Sequence, residues 1–62
     1  MKRKIALEYI RIEFAKNGEC TDSAMRYFIE NRISRKAFNE AAQKGLKIYN
    51  LKAVKKNEEH LK

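Results

Sequence analysis

The sequence contains no proline, no tryptophan, two glycines, one cysteine and one histidine in its 62 residues. One cysteine excludes an internal disulfide, and one cysteine with one histidine cannot complete a four-ligand zinc site of the common kind. No apolar run approaches the roughly 20 residues that a membrane-spanning helix needs. The chain starts with basic residues, but charges at Glu8, Arg11 and Glu13 break up the apolar stretch that a secretory signal would need there. These absences predict a cytoplasmic protein that uses no metal, cofactor or membrane.

The chain is short and strongly basic. A chain of this size buries only about 60% of the surface that its unfolded form exposes, which leaves little room for a catalytic pocket. Lysine and arginine number 15 against 8 acidic residues, for a net charge of +7. Cations placed near DNA phosphates release condensed counterions, which favours binding to any DNA sequence. We therefore expect one small domain over residues 1–62, without enzymatic activity and with a polyanionic partner. The alternative is that the lysines only keep the protein soluble.

The spacing of apolar residues predicts an all-α, three-helix domain, with helices near residues 3–17, 22–31 and 35–44. Thr21 and Ser34 stand where helix N-caps are needed. Gly18 comes two residues after Lys16 and Gly45 directly after Lys44, and a basic residue shortly before a glycine is typical of a helix C-terminus. After Gly45 the pattern fits either a short strand or a new helical turn, and residues 51–62 fit a last helix or a frayed end. The predicted core of the domain is therefore residues 3–50, with a C-terminal extension.

The first predicted helix has two apolar groups side by side. Ile5, Tyr9 and Ile12 form one group, and a second group centred on Ile10 lies next to it. Together they are broader than one helix contact needs. Since a core this small cannot cover such a surface, we expect a homodimer. The predicted core comprises Ile5, Tyr9, Ile12, Met25, Phe28, Ile29, Phe38, Ala41 and Leu46.

The third predicted helix has a basic and amide-rich exposed face. Arg35 and Lys36 open it, where the positive end of the helix dipole disfavours cations unless an anion binds there. Asn39 and Gln43 follow four residues apart, and such amides can pair with adenine N6 and N7. The alternative is an ordinary solvated helix face. The predicted DNA-binding residues are Arg32, Ser34, Arg35, Lys36, Asn39, Gln43, Lys44 and Lys47.

Residues 21–45 resemble the helix-turn-helix DNA-binding superfamily. The run Ile-Ser-Arg-Lys-Ala-Phe, residues 33–38, is similar to the turn and opening of its recognition helix. An apolar turn residue there precedes a Ser or Thr cap, and an apolar residue follows four positions after the cap. The resemblance implies a sequence-specific transcriptional regulator whose third helix enters the major groove of double-stranded DNA. A dimer of this kind would bind palindromic half-sites one helical turn apart.

The sequence also departs from the helix-turn-helix pattern. Asn31 or Arg32 stands in the turn where a glycine is often found, and Phe28 falls where a small residue is usual. A turn one residue longer, with Ala24 as the small residue, also fits the sequence.

The same helical hairpin resembles short modules that mediate protein association, including the short C-terminal domain family. That family usually carries Glu where this chain has Ala37, so a capping box is missing. The second resemblance implies a protein-interaction module or a small inhibitor of a host enzyme. Such a protein would use its apolar helix surface and would not bind DNA specifically.

Overall fold

A computed structural model describes the backbone of residues 2–60 and the side chains of residues 2–52. Three helices and no strand occur in this range: α1 (Arg3–Asn17), α2 (Asp22–Glu30) and α3 (Arg35–His60). The prediction of a small all-α, three-helix domain is therefore confirmed. Residues 51–60 continue α3, and the prediction for residues 61 and 62 lies outside the described residues.

The helices form an up-down-up arrangement. The Thr21 hydroxyl, at the start of α2, donates to the Glu13 carboxylate over 2.8 Å. At the other end of α2, Arg3 Nε donates to the carbonyl oxygen of Asn31 over 3.3 Å. The start of α2 therefore lies beside the end of α1, and the end of α2 lies beside the start of α1. The two helices are antiparallel.

The third helix runs parallel to α1. Gly45 of α3 lies against the backbone of α1 near Arg11, and Tyr49, one turn later, lies against Gly18 at the end of α1. Residues later in α1 thus meet residues later in α3. Since α1 ends beside Tyr49, the rest of α3 extends past the end of α1.

The buried core is small and rich in alanine. Ile10 is the one large side chain among the described residues that is fully buried. The Phe14 ring meets the edge of Phe38 at 5.9 Å, and Phe28 lies 4.5 Å from Phe38 between ring centres. The buried apolar residues are Ala6, Ile10, Phe14, Ala15, Ala24, Ile33, Ala41 and Ala42.

The predicted core was wrong for five residues of the first two helices. Ile5, Tyr9, Ile12, Met25 and Ile29 are all exposed. The apolar group centred on the fully buried Ile10 faces the other helices instead. This group includes the small residue Ala6, which together with Ala41 and Ala42 of α3 lets the helices approach closely. A stripe of bulkier side chains would hold the helices further apart.

The other four residues of the predicted core, one in α2 and three in α3, are buried or half-buried. Ala41 is buried, as predicted. The side chains of Phe28, Phe38 and Leu46 are half-buried and pack around the edge of the core.

Local capping follows the sequence closely. The Thr21 hydroxyl accepts from the backbone N–H of Ala24, and the Ser34 hydroxyl accepts from that of Ala37, each over 3.1 Å. Gly18 ends α1 in the left-handed region with φ +70°. Both predicted N-caps and the first predicted C-cap are therefore confirmed.

The predicted end of the third helix at residue 44 was wrong, because α3 passes through Gly45 and reaches His60. Residues 46–51 are consequently helical and do not form a strand. A Cβ atom at Gly45 would overlap the carbonyl oxygen of Arg11 and would lie 2.6 Å from Cβ of Phe14. The glycine therefore marks the closest approach of two helices, although it costs about 1 kcal/mol in helix propensity.

Candidate nucleic-acid interface

One side of α3 carries five exposed polar side chains, which we call the polar face. At 100° per residue, these side chains fall within an arc of about 80° around the helix. The sequence predicted Lys36, Asn39 and Gln43 on one face and also predicted Lys47 as a binding residue. Asn50 was missed, because the helix was expected to stop at Gly45. The polar face consists of Lys36, Asn39, Gln43, Lys47 and Asn50.

The polar face points away from the rest of the bundle. Ala41 and Gly45 mark the side of α3 that packs on α1, and Gln43 lies roughly 180° around the helix from that side. From Lys36 to Asn50 the face extends about 21 Å at 1.5 Å per residue. Nothing else in the described part of the bundle covers it, so the whole length can meet a partner.

The other predicted binding residues lie outside the polar face. Ser34 is exposed but uses its hydroxyl as the α3 cap, and Arg32 occupies the turn with φ +51°. Arg35 is exposed about 40° around the helix from Asn39, so it borders the face. Lys44 lies between the polar face and α1: it lines one groove with Lys4 and another with Gln43, Lys47 and the acidic Glu40. Four of the eight predicted residues thus share the polar face, and Arg35 and Lys44 border it.

The turn contains the largest departure from ordinary backbone geometry. Arg32 is the one non-glycine residue with positive φ among the described residues. Asn31 or Arg32 was expected at the turn position that a glycine often occupies, and the positive φ falls on Arg32. Its N–H donates to the carbonyl oxygen of Ile29 over 3.3 Å, and that of Ile33 donates to Phe28 over 3.2 Å. The turn is thus held by backbone hydrogen bonds without a glycine.

The charge of α3 is uncompensated within the described side chains. Between Arg35 and Lys52 the helix carries five basic residues and one acidic residue, Glu40. The one ion pair among described side chains joins Arg11 to Glu8 at 3.1 Å, and both belong to α1. The lysines of the polar face therefore create a positive potential that salt would screen.

A second surface, the apolar face of α1, comprises Ile5, Tyr9 and Ile12, which are 47%, 43% and 39% exposed. The Tyr9 ring stacks on Tyr27 of α2 with centres 5.3 Å apart. Leu7 lines the groove toward α3, and the apolar face lies about 140–160° around α1 from Leu7. The apolar face of α1 and the polar face of α3 therefore lie on roughly opposite sides of the α1–α3 pair.

Cys20 is exposed and forms no disulfide. Within the described residues, no three histidine, cysteine or acidic side chains come close enough together to hold a metal ion. In the same part of the chain, none of the helices combines the length and the apolar content needed to cross a membrane.

No protein-family model, no curated protein and no solved structure matches this chain. The resemblance of residues 21–45 to helix-turn-helix domains therefore remains an expectation from the sequence. Any functional assignment has to come from the geometry and charge of the chain's own side chains.

Proposed function

We propose that this protein binds double-stranded DNA sequence-specifically, as a transcriptional regulator, with the polar face of α3 in the major groove. The supporting observation is the alignment of two lysines and three amides on one exposed face of one helix. Lysine neutralises phosphate charge and so contributes affinity for any sequence. Amide side chains can donate to and accept from base edges, so they contribute discrimination.

The dimensions of α3 suit this role. An α-helix with its side chains is about 10–12 Å across, and the major groove of B-DNA is about 12 Å wide. Because α1 packs on the opposite side of α3, it lies away from the groove when the polar face points inward. Arg35, beside the polar face, and Arg32, in the turn before it, lie at the end where the helix would meet the phosphate backbone.

Lys36→Ala and Asn39→Ala should weaken DNA binding in different ways. Loss of Lys36 removes a phosphate contact, so all sequences should bind more weakly and the salt slope should fall by about one unit. Loss of Asn39 removes a base contact, which should cost about 1–3 kcal/mol on the preferred site and little on random DNA. Fluorescence anisotropy with both DNA types over a range of salt concentrations measures each effect.

The chain offers a matched control for each variant. Lys16→Ala removes the same charge from the exposed end of α1, and Asn17→Ala removes an amide that already bonds to the carbonyl oxygen of Glu13. Both controls should bind DNA much as the parent does. An Asn39→Ala protein that keeps the parent's affinity for both specific and random DNA would remove α3 from the recognition role.

Association through the apolar face of α1 is the second candidate function. The observation that favours it is the exposure of three large apolar side chains beside a tyrosine stack in a protein with a small core. Exposed apolar surface of this kind is typical of protein interaction sites. The partner we propose is a second copy of the chain, which gives a homodimer; a different protein is the alternative.

Ile12→Glu should dissociate such a homodimer, because it places a charge on the apolar face that the contact would bury. Sedimentation equilibrium should then give the mass of a monomer, while Glu40→Lys, a charge reversal at an exposed position of α3, should leave the dimer largely intact. A parent protein that stays monomeric at high micromolar concentration would contradict the dimer without affecting DNA binding.

A dimer built on the apolar face would have a particular geometry. Since the apolar face and the polar face lie on opposite sides of the α1–α3 pair, the two polar faces would point away from each other. Such a dimer would bind two separate stretches of duplex. It would therefore not require a palindromic DNA site with half-sites one helical turn apart.

A further inference from the structure

The continuation of α3 beyond Gly45 adds an open, shallow groove along one side of the helix, and this groove overlaps the polar face. Its lining combines two amides, one lysine and two leucines. Leu51 is 61% exposed. Its apolar side chain is therefore not explained by packing in the core. The groove is lined by Gln43, Leu46, Lys47, Asn50 and Leu51.

The chemistry of this groove matches one kind of base pair. In the major groove, adenine presents N7 as acceptor and N6 as donor, and thymine presents O4 and a methyl group. An amide can bond to both adenine atoms at once, and an apolar side chain contacts the thymine methyl. A G·C pair has no methyl group, and the two acceptors of guanine are best matched by arginine or lysine. Two amides beside two leucines therefore complement A·T pairs.

We propose that the Gln43–Leu51 part of α3 reads A·T base pairs, with Gln43 and Asn50 on adenines and Leu51 on a thymine methyl group. This inference rests on the proposed DNA binding and specifies its ligand as A·T-containing duplex. Gln43 and Asn50 are separated by seven residues, about 10.5 Å along the helix. A helix in the major groove advances by about one base pair for every three residues, as in zinc fingers, so this separation corresponds to about two base-pair steps. The expected site therefore has A·T pairs about two positions apart, with Lys47 between the two amides for the phosphates.

Chemically altered duplexes test this proposal, because they change single atoms of the major-groove edge. The probes are an alternating A·T duplex, the same duplex with 7-deazaadenine, the same duplex with uracil in place of thymine, and an alternating G·C duplex. 7-Deazaadenine lacks the N7 acceptor, and uracil lacks the methyl group. Fluorescence anisotropy at one fixed salt concentration compares their affinities.

The parent protein should bind the A·T duplex most tightly. We expect 7-deazaadenine to weaken binding by at least about fivefold, which is the low end for loss of one paired amide contact. In Asn50→Ala, binding to the unmodified A·T duplex should fall and the penalty for 7-deazaadenine should shrink. In Leu51→Ala, the penalty for uracil should shrink. Asn17→Ala, an amide outside α3, should keep every preference of the parent.

Two results would overturn the proposal, and they are distinguishable. If the parent binds all four duplexes equally, the reading of A·T pairs fails while DNA binding stands. If the parent binds none of them, the proposed function fails as well. Circular dichroism on each variant shows whether it has kept the helical content of the parent, and Gln43→Ala provides a second amide variant if Asn50→Ala loses it.

Discussion

Ile10→Ala is expected to lower the free energy of unfolding by about 2–5 kcal/mol, which is the range for removing a fully buried aliphatic side chain. Ile10 is 0% exposed and is the one large side chain among the described residues that is fully buried. Four of the other six buried residues in its core cluster are alanines, which have no side-chain length with which to fill the cavity. Because small domains have only about 5–15 kcal/mol of stability in total, the loss should be visible in urea denaturation.

Ile12→Ala is the matched control for Ile10→Ala. It makes the same change two residues further along α1, where the side chain is 39% exposed on the apolar face. We expect a clearly smaller loss, well below that of Ile10→Ala. If both variants lose the same stability, or if Ile12→Ala loses more in the monomer, the conclusion that α1 buries the Ile10 side would be wrong.

Gly45→Ala is expected to destabilise the protein by about 1–3 kcal/mol or more, the range for overpacking a core. In an exposed helix the same change would stabilise by about 1 kcal/mol, since alanine is the best helix former. Here the new methyl group would overlap the carbonyl oxygen of Arg11 and lie 2.6 Å from Cβ of Phe14. Backbone cannot give way as a flexible side chain can, so α1 and α3 would have to move apart.

Glu40→Ala provides the control for Gly45→Ala, because it puts alanine at an exposed position of the same helix. Its thermal and urea midpoints should stay within about 0.5 kcal/mol of the parent. A Gly45→Ala protein more stable than the parent would mean that α1 and α3 do not approach closely at this glycine. Such a result would favour a looser bundle, in which helix propensity alone decides the outcome.

Features that depend on a few neighbouring residues were predictable from the sequence. The caps at Thr21 and Ser34 each involve one hydroxyl and a backbone N–H three residues later. The turn into α2 likewise depends on Gly18, whose left-handed conformation suits a helix end. Local hydrogen bonding determines such features, so their sequence signals remain valid in the folded protein.

Features that depend on packing between helices were not predictable in the same way. The sequence of α1 has two adjacent apolar stripes, and periodicity cannot tell which of them the other helices cover. The role of Gly45 is equally undetermined by the sequence. A glycine after a lysine can end a helix, or it can lie inside a helix where a second helix packs closely against it. In this fold the contact with α1 determines its role, and the helix continues.

The part of the candidate site before Gly45 could be predicted from helical periodicity. Asn50 and Leu51, after Gly45, could not. Lys36, Asn39 and Gln43 lie within the predicted third helix, so their common face followed from their spacing. Asn50 and Leu51 lie beyond Gly45, where a strand was as compatible with the sequence as a helix. Their placement beside Gln43 depends on the continuation of α3.

Selection from a random library of duplex DNA tests the central claim, that α3 reads DNA sequence, most directly. The full chain is immobilised, bound duplexes are amplified, and the recovered sequences are compared with those recovered by the Asn39→Ala protein. We predict that the parent enriches a defined motif containing A·T pairs and that Asn39→Ala loses part of it. Recovery of unenriched sequences by the parent over repeated rounds would contradict sequence-specific DNA binding and leave association through the apolar face of α1 as the better explanation.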